Sequence, residues 1–160
     1  MRIINCSFDE ALDYLESQNK FDLIISFTEK NGNAFIPGAN VFFFKDTSYG
    51  NDGPQNEDMK RLYGIFEQFE LQTDSRILLH CFAGVSRSSA ATLMFLIQKN
   101  VCKTPKDCVD LLFNEINVSA SPNKWMMNWI SNYFECPEII DQIAYNKQNR
   151  FTKNLTVPFD

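Results

Sequence analysis

The residues best suited to chemistry lie in one short run, His80-Cys81-Phe82-Ala83-Gly84-Val85-Ser86-Arg87-Ser88. Cys81 supplies a sulfur nucleophile. Arg87 supplies a planar guanidinium that can grip two oxygens of an oxyanion. An apolar stretch suited to a strand, Arg76–His80, leads into the run, and Ser88–Lys99 reads as a helix. A tight loop between strand and helix can point successive backbone N–H groups inward as an anion nest. The helix start adds free N–H groups and the positive end of its dipole. Gly84 allows a turn where a side chain would interfere. The field that attracts a phosphate ester also stabilises a thiolate. A thiol at a helix N-terminus can ionise well below its free value, and in that form sulfur is a strong nucleophile. Cysteine and arginine at this spacing are weak evidence alone. The chain's only histidine directly before the cysteine, the glycine and the following serine make the pattern far more specific.

Positioning this loop needs a sheet and its helices. Arg2–Cys6 reads as a first strand. Ser7 with Glu10 forms a capping-box pattern for a helix carrying Phe8, Leu12 and Leu15. Phe21–Phe27 and Val41–Phe44 are further strand candidates, and Thr47–Gln55 has loop composition. Met59, Leu62, Ile65, Phe66 and Phe69 recur at helical spacing. Later helices are expected over Lys106–Ile116, Lys124–Phe134 and Pro137–Asn149, two of them announced by Thr104-Pro105 and Ser121-Pro122. Trp125, Trp129 and Tyr133, four residues apart, are expected in the core, and Cys102 and Cys108 are expected to pack within helices. Alternating strands and helices predict an α/β fold: one domain over 1–160, with a largely parallel central sheet of about four to five strands flanked by helices. Ligands then bind beyond the carboxyl ends of the strands, where Phe44 and His80 both lead.

Composition narrows the function. The chain has 160 residues, 44% of them apolar, which suits a packed core. A net charge of −5 argues against general nucleic-acid binding and against an anionic membrane surface. The N-terminus does not look like a signal peptide and no apolar run is long enough for a span, so a soluble, cytoplasmic protein is expected. Five cysteines without a Cys-x-x-Cys pair, and one histidine, argue against a zinc site and a disulfide framework, so no metal is expected. Cys6, near a strand end, is a candidate to trap oxidised Cys81 as a disulfide.

His80–Ser88 resembles the signature loop of the protein tyrosine phosphatase superfamily. With Ala83-Gly84 and Ser86-Arg87-Ser88 it is most similar to the dual-specificity branch and its small bacterial relatives, as is Ser119-Ala120-Ser121-Pro122-Asn123. The resemblance implies a phosphatase-like fold and no cofactor. It implies that Cys81 forms a phosphocysteine intermediate and that Arg87 binds the phosphoryl group. The backbone of Phe82, Ala83, Gly84, Val85, Ser86 and Arg87 would hold the phosphate oxygens. Ser88 would hydrogen-bond the Cys81 sulfur and help it leave, and His80 would orient the loop. The family's general acid is an aspartate on a loop before the signature strand. Asp46 is the first candidate and Asp52, in the same loop, the alternative. The large receptor-type phosphatases carry a tryptophan before this aspartate, where Phe44-Lys45 stands here.

The expected function is therefore a phosphomonoesterase acting on phosphorylated protein or peptide. Phosphotyrosine is favoured because the loop positions Phe82, Ala83 and Val85 are apolar. Two other readings stand beside it. One is a catalytically weak phosphatase-like module that binds phosphopeptides. The other is thiol-based arsenate reduction, disfavoured because related reductases place the motif near the N-terminus. The residues do not specify an oligomeric state.

Overall fold

All four apolar runs expected as strands enter one sheet. The computed structural model describes residues 1–18 and 20–153. Its strands are β1 (Arg2–Cys6), β2 (Leu23–Thr28), β3 (Asn40–Phe43) and β4 (Arg76–His80). They are parallel throughout and lie in the order β1-β4-β2-β3. Helices α1 (Phe8–Gln18), α2 (Asn56–Gln68), α3 (Arg87–Gln98), α4 (Pro105–Leu111), α5 (Lys124–Tyr133) and α6 (Glu138–Lys153) flank it. The expected α/β architecture is what the structure has. Among the described residues no helix is long and apolar enough to cross a membrane.

Strand alternation sorts the sheet's two faces. Leu78 and Ile4 pack with Ala11 and Ile36 on the face that α1 covers. Ile77, Leu79, Ile25 and Phe27 point the other way, into the larger cluster built by the remaining helices. Ser7 caps α1 as its sequence predicts: the Glu10 N–H donates to Ser7 Oγ at 3.2 Å, and the Ser7 N–H donates to Glu10 Oε2 at 2.9 Å. The centre of the large cluster is α3, buried on every side from Arg87 to Ile97. Phe95 of α3 meets Phe66 of α2 edge to face at 5.1 Å. A helix surrounded in this way cannot shift without opening cavities, so its N-terminus is a rigid platform for the loop before it.

Three local expectations need correction. The helix expected over Lys106–Ile116 stays α-helical only to Leu111 and then widens into a π-helical turn, Leu112–Ile116. The Asn117 N–H closes it by donating to Leu112 O at 2.7 Å. Of the three aromatics expected in the core, Trp125 and Trp129 are only partly buried against it and Tyr133 is half-exposed. Met126, Met127 and Ile130 take the buried face of α5, while Trp129 stacks on Tyr133 at 4.6 Å. A repeat of four drifts around a helix whose period is 3.6, so the apolar stripe lies one residue along. Cys102 sits in the turn before α4, outside any helix, whereas Cys108 is buried inside it.

The packing of α3 makes a direct prediction. Phe95→Ala should cost about 3–5 kcal/mol of stability, since a fully buried aromatic is lost with little room for collapse. Urea denaturation of the two proteins measures it, and a cost below about 1 kcal/mol would mean that α3 is not packed as described.

Candidate active site

The run from Cys81 to Arg87 joins the central strand β4 to the buried helix α3. Its carbonyls are held from outside. Cys81 O faces His80 Nδ1 at 3.4 Å. Phe82 O accepts from the Phe8 N–H at 3.2 Å, and Val85 O from the Ser121 N–H at 2.8 Å. Gly84 O accepts from Asn117 Nδ2 at 2.6 Å. Ser86 O accepts from the Ala90 and Asn123 N–H groups. In a trans peptide the C=O and the next N–H point to opposite sides. A carbonyl turned outward leaves the following N–H on the opposite side, the arrangement an anion nest needs.

Gly84 is required for this close fit. Its φ is +69°, in the left-handed region. A Cβ there would lie 2.3 Å from the Cys6 carbonyl carbon and the Ser7 nitrogen, so the loop could not settle against the end of β1.

Cys81 is buried, with its sulfur 3.2 Å from Ser88 Oγ. Burial alone would push the thiol's pKa up. The Ser88 hydroxyl, the Ser88 backbone N–H, the Arg87 charge and the Ser86 backbone N–H together outweigh it and hold the thiol below its ordinary value. Cys6 behaves in the opposite way: burial first, then Glu10 and the neighbouring Cys81, push its thiol up to about 12. Both cysteines are free.

His80 is fully buried, and burial holds its pKa below the usual imidazole value. Ser26 Oγ lies 2.6 Å from His80 Nε2 while accepting from the Ile36 N–H. The ring is thus held at both nitrogens, which orients the loop's first peptide.

Arg87 is also buried. Its Nη1 donates to Phe44 O at 2.8 Å, which ties the end of β3 to the loop across β2. Its Nε is a buried donor with no partner. The same tie brings Asp46 to the rim. Asp46 Oδ1 accepts from Ser86 Oγ at 2.5 Å and from Asn123 Nδ2 at 3.0 Å. Ser86 occupies the N-cap position of α3 but makes no side-chain cap; its hydroxyl is committed to Asp46. Asp52 turns elsewhere, pairing with Lys45 at 3.3 Å on the surface. The structure thus joins Cys81, Arg87, Ser88, His80 and Asp46 in one assembly and leaves Asp52 at its edge. Phe82, 70% exposed, and Tyr49, 83% exposed, stand on the two loops that carry Cys81 and Asp46.

The sequence placed Asn123 in a family-like run without its bond to Asp46, and gave Asn117 and Ser26 no part at all. Ser26 left one signal, a hydroxyl inside the apolar strand run. Asn117 left none, because its reach to Gly84 depends on the π-helical turn before it. Among the described residues no cluster of His, Cys, Asp and Glu could hold a metal ion.

No family model matches the chain. Among curated relatives, the tyrosine-protein phosphatase yvh1 of Schizosaccharomyces pombe is 32% identical over 77 residues, 48% of this chain and 23% of that protein. A probable dual specificity protein phosphatase of Dictyostelium discoideum is 27% identical over 73 residues, 46% of this chain and 26% of that protein. The matched segment is thus about a quarter of each relative's length. The crystal structure of human DUSP28 superposes with a TM-score of 0.61 at 13% identity, covering 86% of this chain and 94% of that one. The chain therefore has the fold of the protein tyrosine phosphatase superfamily, and its resemblance to the dual-specificity branch holds.

The thiol's environment generates a test. Ser88→Ala removes a donor to the sulfur, so the pH midpoint for alkylation of Cys81 by iodoacetamide should rise toward that of an ordinary thiol. Because the shift in the native protein is downward, ionised Cys81 adds stability that is fully present above the unfolded thiol's pKa. That stability fades as pH falls through the depressed value. Peptide mass mapping of the alkylated site reads the midpoint, and an unchanged midpoint would remove Ser88 from the account.

Proposed function

We propose that this chain is a cysteine-dependent phosphomonoesterase acting on phosphorylated protein or peptide, with phosphotyrosine favoured. The observation that carries the reading is a single loop holding a thiol of depressed pKa beside an arginine with an unpartnered buried donor, with Asp46 hydrogen-bonded to the same loop. A phosphate oxygen would satisfy Arg87 Nε, and the inward N–H groups would take the others.

In this mechanism the Cys81 thiolate attacks phosphorus. A sulfur–phosphorus bond forms as the phosphorus–oxygen ester bond breaks. Asp46 gives its proton to the departing oxygen. Asp46, now a carboxylate, takes a proton from water, whose oxygen attacks phosphocysteine. The sulfur–phosphorus bond breaks, inorganic phosphate leaves, and Ser88 steadies the returning thiolate. Asp46 is preferred to Asp52 because it alone of the two is bonded to the loop's Ser86. Phosphotyrosine is preferred because Phe82, within the loop itself, offers an exposed ring against which an aromatic leaving group can pack. An ionised thiol persists best under reducing conditions, which supports a cytoplasmic location.

Hydrolysis of p-nitrophenyl phosphate, inhibited by vanadate, tests the reading. Cys81→Ser should abolish turnover, and full activity in that variant would end the proposal. Asp46→Asn should lower kcat about 10²–10⁴-fold, whereas Asp52→Asn should change it little. On peptides, Phe82→Ala should raise KM more for phosphotyrosine than for phosphoserine; an equal effect on both would withdraw the aromatic preference.

A further inference from the structure

A second feature lies between α5 and α6, outside the anion loop. It is a groove of about 240 Å³ whose walls include Pro122, Lys124 and Met127 on one side and Ile140, Ala144 and Lys147 on the other. Ile140, Ala144 and Lys147 follow at helical spacing and so share one face of α6. Ile140 is partly exposed, although the same helix buries Ile139 and Ile143 in the core. The charge of the groove runs against that of the chain. The protein carries a net −5, yet among the described residues the groove's only charged ones are the two lysines. No ion pair among the described residues involves either one. The carboxylates of Glu138 and Asp141 line a different cavity, with Lys106.

We propose that this groove docks a peptide segment of a partner protein in which apolar side chains alternate with carboxylates. The apolar groups would cover Ile140 and Ala144, and the carboxylates would meet Lys124 and Lys147. Charge complementarity selects this occupant: an apolar wall with two lysines, on a chain whose net charge is −5. The groove is also placed to matter. Pro122 adjoins Asn123, whose amide donates to Asp46. A segment seated there is held next to the loop that carries Cys81. The inference concerns binding alone and stands apart from the catalytic reading.

The test uses the full chain and a short fluorescein-labelled peptide of alternating Leu and Glu, read by fluorescence polarisation. The Leu–Glu peptide should bind, and salt should weaken it. Lys124→Glu with Lys147→Glu should weaken binding at least tenfold, and Ile140→Glu alone should do the same through the apolar wall. Thermal melts establish that each variant is folded. No binding of the Leu–Glu peptide, unchanged affinity in both variants, or equal binding of a Leu–Lys peptide would overturn the proposal. So would sedimentation showing a dimer that Ile140→Glu dissociates, which would assign the groove to a second copy of the chain.

Discussion

Peptide planarity governs this site. A trans peptide cannot turn its carbonyl outward without turning the next N–H inward. The structure exploits that coupling residue by residue. His80, Phe8, Asn117, Ser121 and Asn123 each face or donate to a loop carbonyl from outside. These groups come from β4, α1, the segment after the π-helical turn, and the start of α5. Five of the loop's carbonyls, those of Cys81, Phe82, Gly84, Val85 and Ser86, are engaged in this way. In the proposed reading an anion inside would need no side-chain charge beyond Arg87, so the chain's net charge of −5 does not oppose it.

The same arrangement resolves a conflict at Cys81. A buried thiol ordinarily resists ionisation, as Cys6 illustrates one strand away. Cys81 is as secluded, yet its pKa moves down because hydroxyl, backbone and guanidinium donors converge on it. Burial then becomes useful, since those interactions are stronger away from bulk water. The buried helix α3 keeps the donors in place, and Gly84 lets the loop press against β1 closely enough for the outer contacts to form.

The regions where the structure departs from simple periodicity also serve the loop. The π-helical turn interrupts a regular helix and delivers Asn117 to Gly84 O. Ser86 forgoes capping its own helix and binds Asp46. On α5 the methionines and Ile130 take the buried face, which packs with α3 and α6, while Trp125 and Trp129 lie at its margin and Tyr133 at the surface.

Much was legible from the residues alone. The strand before and helix after His80–Ser88, the need for glycine at position 84 and the pairing of Cys81 with Arg87 are all local, and local preference carried them through unchanged. The parallel sheet followed from alternation of strands and helices. What only the tertiary structure decided was non-local. Asp46 and Asp52 share one loop, and sequence position only ranked Asp46 first. They differ because β3 lies at the sheet edge and Arg87 reaches across to Phe44, drawing the chain just beyond it onto Ser86. Ser26, Asn117 and Asn123 took their parts from partners dozens of residues away. Periodicity and propensity describe neighbours along the chain, whereas those bonds exist only after the sheet order and the burial of α3 are set.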